Sequence, residues 1–530
     1  MSNGGLQKFG PKVLVAGLAV LTLLAVWFAE RTVDTPLGFP LDDAWIHMVY
    51  GRSLAQDGGL AYNPGEPTTG ATSLLWAVLL GAVHVVVGHA HVGTRIVAVL
   101  LLGGVLHVLT ALLAENLTQR LATPRVGLAA GVLVALNPAM AGAALSGMEV
   151  ALTAALLLAG VRALVLRSWL MAGAWLALLP IARPEGALVA VALVAWSTWL
   201  DRPIGATNWL KRALHLGGPA LALGLLVIAR NLETTHHPLP ATYYAKLAHI
   251  PWTETPQRLW RAVHQVLGET PPLWHGAGLI FLAGLGARTQ RLALLPVLAA
   301  FAFLLGHVRV SELGDPRVFY GLRYLLPIMP ALTVSLALGA LGIGQWLPPR
   351  VQVVPLLLLL LTSLTQGALT LLPVSEKLAS DTRNIDEVQC AAGRWIHEHV
   401  PVDRRVATVD AGAVRYLGDR WTLDLLGLNT PMMLWHPDLY ARAYPIAAVV
   451  FMPELGRPEA SPELAVPWQA RAKNYRVTLN PALALQAVVT CPHAPDSQAR
   501  PLALQGPGLH TLVWCQKFDA PAPGVLHESP

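Results

Sequence analysis

Residues 41–48 read Leu-Asp-Asp-Ala-Trp-Ile-His-Met, and they open the first loop that follows the first apolar segment of the chain, residues 13–29. Two neighbouring carboxylates, Asp42 and Asp43, therefore stand where the chain leaves a hydrophobic segment. Acidic side chains are costly to keep charged at the mouth of a hydrophobic bundle, and those found there usually serve chemistry or hold a cation. The stretch thus predicts a membrane protein with a functional site at one membrane surface.

The composition is that of a polytopic membrane protein. Of the 530 residues, 54% are hydrophobic and only 13% are charged, and the mean hydropathy is +0.51, whereas soluble domains carry about 25% charged residues. The net charge of +6 fits Lys and Arg that accumulate in cytoplasmic loops. No Lys/Arg-rich run with interleaved aromatic residues indicates a nucleic-acid partner. Glu30-Arg31 follows the first apolar segment without a small-residue cleavage site, so we predict a retained anchor.

Apolar segments predict a polytopic α-helical bundle in contact with membrane lipids. A spanning helix needs about 20 apolar residues, and about eleven segments approach this length. They are residues 13–29, 94–114, 126–145, 150–166, 169–182, 187–200, 214–228, 273–287, 292–308, 324–346 and 351–372. A further piece, residues 73–88, is predicted to be an interfacial or re-entrant helix. Only two crossings fit between a cytoplasmic N-terminus and the basic loop with Arg120 and Arg125.

Basic residues recur at every second connection and predict the orientation. Positively charged loops face the cytoplasm, which places inside Arg120, Arg125, Arg167, Arg202, Lys211, Arg212, Arg288, Arg291 and Arg350. We therefore expect a multi-pass protein of the inner (plasma) membrane with a cytoplasmic N-terminus and an extracytoplasmic C-terminus. The outer face then collects the acid pair, residues 146–149, residues 183–186, and the loops 231–272 and 309–323.

A change of pattern after Leu372 predicts two domains: a membrane domain over residues 1–373, with a first outer loop at 30–72, and an extracytoplasmic α/β domain over residues 374–530. Residues 384–400 have the periodicity of an amphipathic helix, and residues 405–410 and 446–452 read as buried strands. The three cysteines have no metal-ligand spacing. An extracytoplasmic location would allow a disulfide between Cys491 and Cys515, and the sequence does not decide whether it forms.

The first outer loop carries a family resemblance. It continues with Tyr-Asn-Pro-Gly-Glu at residues 62–66 and Thr-Gly-Ala-Thr-Ser-Leu-Leu-Trp at residues 69–76. With the acid pair, this pattern resembles the first extracytoplasmic loop of the GT-C superfamily of polyprenyl-phosphate-sugar-dependent glycosyltransferases. It is closest to the bacterial branch that contains the actinobacterial terminal arabinofuranosyltransferases. The chain departs from the archetype at Thr69, where many relatives have an acid before the glycine, and this leaves the choice of donor or acceptor open.

The resemblance implies that the acid pair is catalytic. Superfamily pairs usually assign the general base to the first acid, so Asp42 is the expected base, and Asp43 would orient the acceptor or hold Asp42. An acceptor hydroxyl has a pKa far above 7, so it needs a positioned carboxylate to take its proton. The alternative is structural, because an Asp just before the helix predicted over residues 44–54 is a favoured N-cap.

Cationic side chains should hold the phosphate leaving group, which is already anionic and needs no general acid. Arg183 in Arg-Pro-Glu-Gly, and Arg323 with Tyr324, match patterns of the bacterial branch. Tyr244 and Lys246 in an outer loop are further candidates. The alternatives are an ion pair of Arg183 with a nearby glutamate, and a snorkelling Arg323 beside an interfacial tyrosine.

Two glutamates complete the predicted substrate-binding set. Glu149 ends Ser-Gly-Met-Glu, which matches a family motif, and Glu185 lies in Arg-Pro-Glu-Gly. Glu149 could bind sugar hydroxyls or hold Arg183, and the alternative for Glu149 is an N-cap box for the next helix.

The predicted activity is inverting transfer of a sugar from a polyprenyl-phosphate donor to an extracytoplasmic glycan, lipid or protein. Two alternatives stay open: a glycan polymerase or ligase that uses a lipid diphosphate donor, and a membrane transporter or flippase. Neither a Gly-x-Gly-x-x-Gly after a strand nor a Gly-x-x-x-x-Gly-Lys-Ser/Thr occurs. We therefore expect no nucleotide site, no cofactor and no metal, and the sequence does not distinguish a hexosyl- from a pentosyltransferase.

Overall fold

The computed structural model describes residues 3–88, 90–200, 206–246, 251–268, 291–310, 323–435, 446–451, 488–489 and 512–515. Helices dominate the part that precedes the C-terminal α/β unit. In chain order they are α1 (Asn3–Arg31), α2 (Asp42–Asp57), α3 (Leu74–Val87), α4 (Val92–Leu121), α5 (Pro124–Ala135), α6 (Pro138–Ala144), α7 (Val150–Val165), α8 (Trp169–Ala182), α9 (Gly186–Leu200), α10 (Ala206–Thr235), α11 (Ala241–Lys246), α12 (Thr255–Gly268), α13 (Leu295–Val310), α14 (Met329–Gln345) and α15 (Val354–Ile385).

The prediction of a polytopic helical membrane protein is confirmed. Six described helical segments are long and apolar enough to cross a membrane, and the pair α5 and α6 makes a seventh if it is one span. Of the predicted spans, residues 273–287 lie outside the described residues, and each of the others coincides with a helix. Three of those helices, α7, α8 and α9, are shorter apolar helices.

The span predicted over residues 126–145 is broken. Helices α5 and α6 meet at an angle of 59°. Asn137 ends the continuous hydrogen-bond ladder, because its side chain accepts from the backbone N–H of Met140 and caps α6. Pro138 follows without an N–H donor and disfavours a helical Asn137. The segment that follows α6 carries Glu149, which directly precedes α7.

Helix α3 is the predicted interfacial helix. It has 14 residues, fewer than the roughly 20 that a span needs, and Ser73 Oγ caps it by accepting from Trp76 N–H. Trp76 and Leu80 are buried, whereas the side chain of Val86 is 85% exposed. Such a two-sided helix suits a membrane interface, and its position there stays a prediction.

The C-terminal unit is built on a mixed sheet. Its strands are β3 (Arg405–Thr408), β4 (Thr422–Asp424), β5 (Ile446–Phe451), β6 (Val488–Val489) and β7 (Leu512–Cys515), in the spatial order β4-β3-β5-β7-β6. Strand β3 runs parallel to β4 and β5, and β7 runs antiparallel to β5 and β6. Helices α16 (Ala391–His399), α17 (Ala413–Gly418) and α18 (Met432–Trp435) accompany the sheet. The strands predicted near residues 405 and 446 are therefore present.

The boundary predicted at residue 374 falls inside a helix. Helix α15 continues past Pro373 to Ile385 and passes through a π-helical turn, Asp386–Cys390, into α16. The predicted amphipathic helix is thus the end of a longer one. Cys390 is buried, and Cys491 lies outside the described residues, so the predicted disulfide is not tested.

The first outer loop and the C-terminal unit interlock. The loop contains a hairpin, β1 (Ala61–Asn63) and β2 (Glu66–Pro67), and its side chains bond across the boundary. Tyr62 Oη donates to Ala411 O at 2.7 Å. Asn63 and Thr422 exchange two hydrogen bonds, of 3.0 and 2.9 Å. These contacts join residues that are distant in the sequence and hold the loop against the C-terminal unit.

Gly70 lies where the first outer loop closely approaches the C-terminal unit. Replacing Gly70 therefore tests this packing. A Cβ at Gly70 would collide with the backbone oxygen of Leu428 and with Tyr50 Oη. We expect Gly70→Ala to cost about 1–3 kcal/mol of stability, the usual price of overpacking. Gly59→Ala is the matched control, because nothing lies near its added Cβ. Thermal unfolding of the purified protein measures both variants, and equal midpoints would contradict the interlock.

Candidate active site

The acid pair lies at the start of α2. The helix begins at Asp42, and the cap residue is Leu41, which makes no side-chain cap bond. The N-cap alternative is therefore wrong for both acids. Successive helical residues point about 100° apart, so the two carboxylates face different surroundings.

Asp42 faces the C-terminal unit. Its Oδ2 accepts from Gly412 N–H at 2.7 Å and its Oδ1 accepts from Ala413 N–H at 2.8 Å, at the first turn of α17. The side chain is buried, with 5% of the residue exposed. Burial and the carboxylate of Asp410 raise the pKa of Asp42 well above its ordinary value, against the two backbone donors that lower it. Asp42 therefore joins the loop to the C-terminal unit.

Asp43 faces an open cleft. Its Oδ2 lies 2.7 Å from Nη2 of Arg323, and its side chain is 33% exposed. The cleft and the solvent at its open mouth together occupy about 490 Å³, and the described residues lining it include Asp43 but not Asp42. They are Asp43, Ile46, His47, Gly70, Thr72, Met148, Glu149, Arg183, Thr242, Arg323, Tyr324, Leu428 and Asn429.

One side of the cleft, the cationic wall, consists of Arg183, Arg323, Tyr324, Glu149 and His47. Pro184 ends α8 as predicted, because Arg183 is its C-cap residue. Arg183 Nη1 lies 2.6 Å from Glu149 Oε1. Its Nη2 lies 3.4 Å from Glu185 Oε1. Arg183 thus forms ion pairs with two glutamates, and such a pair was the structural alternative to a phosphate-binding role. The guanidinium of Arg183 also lines the cleft.

The two glutamates are buried. Burial raises their pKa values, but the guanidinium of Arg183 and the neighbouring hydrogen-bond donors together outweigh it, so that the pKa of both Glu149 and Glu185 lies below its ordinary value. Histidines contribute to the same effect, His47 beside Glu149 and His307 beside Glu185. Glu149 occupies the N-cap position of α7 without a side-chain cap bond, so the N-cap box alternative is wrong for it.

Arg323 and Tyr324 complete the cationic wall. Arg323 Nη2 donates to Tyr324 Oη at 2.7 Å. The ring of Tyr324 stacks on His307 with centroids 4.8 Å apart, and the guanidinium carbon of Arg183 lies 5.0 Å from the same ring centroid. Two cations therefore converge on one aromatic ring at the cleft, which fixes the direction of both guanidinium groups.

His47 lines the cleft although it was not predicted to be a site residue. Its Nε2 lies 3.6 Å from Glu149 Oε2, and its Nδ1 has no hydrogen-bond partner among the described residues although it is buried. The signal was present in the sequence, because His47 follows Asp43 by four residues and so occupies the same face of a helix. Its free nitrogen is available to a bound substrate.

A second group of lining residues is uncharged, and we call it the neutral wall: Gly70, Thr72, Thr242, Leu428 and Asn429. It joins the first outer loop, α11 and the C-terminal unit. Leu428 and Asn429 belong to a turn that Asp424 holds by accepting from the backbone N–H groups of Leu426 and Asn429. None of the described residues that line this wall is charged.

Of the predicted binding residues whose side chains the structure describes, Glu185 and Tyr244 do not line the cleft. Tyr244, in α11, packs against His237 and Trp435. Lys246 is the last residue of α11, and the position of its side chain lies outside the described structure. Within the described residues, no cluster of three or more His, Cys, Asp or Glu could hold a metal ion.

Similarity to solved structures identifies the fold. ArnT from Cupriavidus metallidurans bound to undecaprenyl phosphate superposes with a TM-score of 0.57 at 14% identity, covering 88% of this chain and 96% of ArnT. The Archaeoglobus fulgidus oligosaccharyltransferase in complex with Zn and sulfate gives 0.56 at 12% identity, covering 83% of this chain and 68% of that one. These neighbours are GT-C superfamily enzymes, and the chain therefore has the GT-C membrane fold.

Sequence comparisons add one match. Residues 383–496 match the family model described as "Domain of unknown function (DUF8728)", which covers the α15–α16 junction and much of the C-terminal unit. The chain matches no curated protein sequence. The predicted likeness to the arabinofuranosyltransferase branch stays a prediction.

Proposed function

We propose that this protein is an inverting glycosyltransferase that moves a sugar from a polyprenyl-phosphate donor to an extracytoplasmic acceptor. The observation that carries the proposal is the cleft, where the carboxylate of Asp43 lies beside the guanidinium groups of Arg183 and Arg323. The fold supports it, since ArnT has been solved with undecaprenyl phosphate and the archaeal enzyme AglB with a dolichol-phosphate. The cleft would open to the extracytoplasmic side of the inner membrane.

We assign the general base to Asp43 and a positioning role to Asp42, which reverses the order expected from the resemblance. Both oxygens of Asp42 accept backbone hydrogen bonds away from the cleft lining. Asp43 is partly exposed and lines the cleft. A base must lie within reach of the proton that it takes, and of the two acids only Asp43 meets this condition.

The transfer step follows from this assignment. The acceptor oxygen bonds to C1 of the donor sugar, and the bond between C1 and the phosphate oxygen breaks with its electron pair on the phosphate. The acceptor proton goes to Asp43. Arg323 and Arg183 balance the charge that grows on the leaving phosphate, because guanidinium groups recognise phosphate bidentately.

Arg323 is the cation that can move from Asp43 to the donor. A phosphate that pairs with Arg323 would compete with its 2.7 Å contact to Asp43 and free that carboxylate for the acceptor proton. Donor binding would then precede activation of the base. Nδ1 of His47, on the same wall, would donate to a phosphate or sugar oxygen.

The decisive experiment uses the purified full-length protein in lipid nanodiscs with a panel of radiolabelled polyprenyl-phosphate sugars. We expect release of free polyprenyl phosphate together with an inverted glycoside. Turnover only of polyprenyl-diphosphate donors would favour the polymerase or ligase alternative. Movement of the lipid across the bilayer without cleavage would favour the flippase alternative. Hexoses and pentoses in the panel decide the class of sugar.

Arg323→Gln tests the leaving-group contact. Glutamine keeps hydrogen-bonding capacity but removes the charge, so we expect the donor KM to rise about tenfold to a hundredfold, the range for a lost charged hydrogen bond. Arg323→Lys should recover only part, because lysine lacks the bidentate fork. Arg394→Gln is the control, since Arg394 pairs with Asp386 on the C-terminal unit, with half of its side chain exposed. Unchanged donor kinetics in Arg323→Gln would assign Arg323 a structural role.

A further inference from the structure

A cluster of aromatic rings lies beside the neutral wall. His237 and Trp435 stack with ring centroids 4.2 Å apart and an interplanar angle of 26°. Tyr244 contacts both, at 5.2 Å from His237 and 6.2 Å from Trp435. Tyr243 meets Tyr244 edge-on at 5.6 Å. All four side chains are partly exposed, so the cluster, which we call the aromatic platform, presents ring surface to the outside.

The platform is continuous with the cleft. Thr242 lines the cleft and directly precedes Tyr243 in α11. On the other side, the chain passes from Leu428 and Asn429, which also line the cleft, into α18, where Trp435 is the last residue. Ala241 N–H donates to Thr69 Oγ1 at 3.0 Å, and this bond holds α11 against the loop that contributes Gly70.

The chemistry of the two walls assigns the platform to one substrate. The phosphate is expected at the arginines of the cationic wall. Inversion requires the acceptor oxygen to approach C1 from the side opposite the leaving phosphate, so we expect the acceptor at the lining residues that carry no arginine, which form the neutral wall. The aromatic platform adjoins the neutral wall through Thr242, which directly precedes Tyr243 in α11, and it can therefore hold the part of the acceptor next to the reacting hydroxyl.

We propose that the aromatic platform is a binding subsite for the acceptor and that the acceptor is a neutral glycan. This inference rests on the proposed function and adds the class of acceptor to it. The C–H faces of a sugar ring pack flat against an aromatic ring, while its hydroxyls reach polar groups at the edge. Tyr and His rings provide both kinds of contact, and Thr72, Thr242 and Asn429 supply neutral hydrogen-bonding groups nearby.

The charge of the wall selects against other acceptors. None of the described residues lining the neutral wall is an acid or a base, so a uronate, a phosphate or a charged peptide would lose its hydration there without a matching partner. A neutral sugar ring loses little by the same transfer.

The test measures binding directly and needs no donor. The probes are methyl glycosides of neutral hexoses and pentoses, with methyl glucuronide and an uncharged capped tripeptide as competitors of other classes. Full-length protein in nanodiscs is examined by saturation-transfer difference NMR, titrated to obtain affinities. The variants are Trp435→Ala, Tyr244→Ala and Trp435→Phe. Trp260→Ala is the control, because Trp260 is an exposed tryptophan on α12 that does not line the cleft.

We expect at least one neutral glycoside to bind, with Trp435→Ala and Tyr244→Ala each weakening it about fivefold to tenfold, as the loss of an aromatic contact predicts. Trp435→Phe should keep most of the affinity, and Trp260→Ala should match the wild type. No binding of any neutral glycoside, preference for the glucuronide or the tripeptide, or unchanged affinity in both alanine variants would overturn the proposal.

The failure of the two proposals can be told apart. Glycoside binding that depends on Trp435, without cleavage of any lipid donor, would reject the proposed transfer reaction and keep the subsite. Donor cleavage with an unaltered acceptor KM in Trp435→Ala would reject the subsite and keep the reaction. Thermal unfolding of each variant completes the set. A large loss of stability with unchanged glycoside affinity would show that the rings only pack α11 against α18.

Discussion

Asp43→Asn is expected to lower the rate of sugar transfer by about 10²- to 10⁴-fold, the usual loss when a general base is removed, while the protein stays folded. Asparagine keeps the size of the side chain and its hydrogen bonding but cannot accept the proton. Stability should fall by less than the loss of a fully buried pair would cost, because Asp43 is one-third exposed and the buried Arg323 keeps its hydrogen bond to Tyr324 Oη. Single-turnover transfer and thermal unfolding, measured on the same preparation, check both halves of this expectation.

Asp42→Asn is the matched variant with the opposite expected result. Both carboxylate oxygens of Asp42 accept backbone N–H bonds, and an amide would turn one of those acceptors into a donor. The buried Gly412 or Ala413 N–H left without a partner should cost about 1–3 kcal/mol of stability. The fraction of the Asp42→Asn variant that stays folded should still transfer sugar. Normal stability with abolished transfer in Asp42→Asn, beside an active Asp43→Asn, would restore the first acid of the pair as the base.

The sequence located most of the cationic wall because its members share a simple physical property. Glu149, Arg183 and Arg323 each interrupt an apolar pattern at the end of a helix, and a charge is retained in such a place only when the structure uses it. Charge alternation in the loops then predicted that these helix ends share one membrane face. In the folded protein they lie together in the cleft lining beside Tyr324.

The division of roles between the two acids could not be predicted in the same way. It depends on the backbone N–H groups of Gly412 and Ala413, which lie 370 and 371 residues further along the chain. Linear sequence carries no signal for such a contact. A Cβ at Gly412 would collide with the backbone oxygen of Asp42, so the glycine permits this close approach.

The neutral wall was missed for a related reason. Leu428 and Asn429 follow Asp424, which holds a turn by accepting from the backbone N–H groups of Leu426 and Asn429. That turn also presents its neighbours to the cleft, which only the packing of the C-terminal unit on the first outer loop reveals. Helix α15 runs through residue 374, where the sequence predicted the start of a second domain, and the division into two domains stays a prediction.

Arg183→Ala is expected to destabilise the protein by about 3–5 kcal/mol, the usual cost of removing one partner from a buried ion pair. Its guanidinium neutralises Glu149 and Glu185 together, and all three side chains are buried. Without it, two carboxylates are left in a low-dielectric site with only His47 and His307 beside them. Thermal unfolding measures the loss, but a loss of activity in this variant would not reveal a phosphate contact, because unfolding alone would produce it.

A triple variant separates the two roles of Arg183. Replacing Arg183 with Met and both Glu149 and Glu185 with Gln removes the buried charges together, and such neutral replacements of buried ion pairs are often without cost or even stabilising. Stability should therefore return to near the wild-type value, whereas donor affinity should remain low if Arg183 holds the leaving phosphate. Glu149→Gln with Glu185→Gln, in the presence of Arg183, is the control for the glutamates. A triple variant that is stable and binds polyprenyl-phosphate sugars with wild-type affinity would show that Arg183 serves only to hold the two glutamates, and Arg323 would then be the phosphate-binding cation of this cleft.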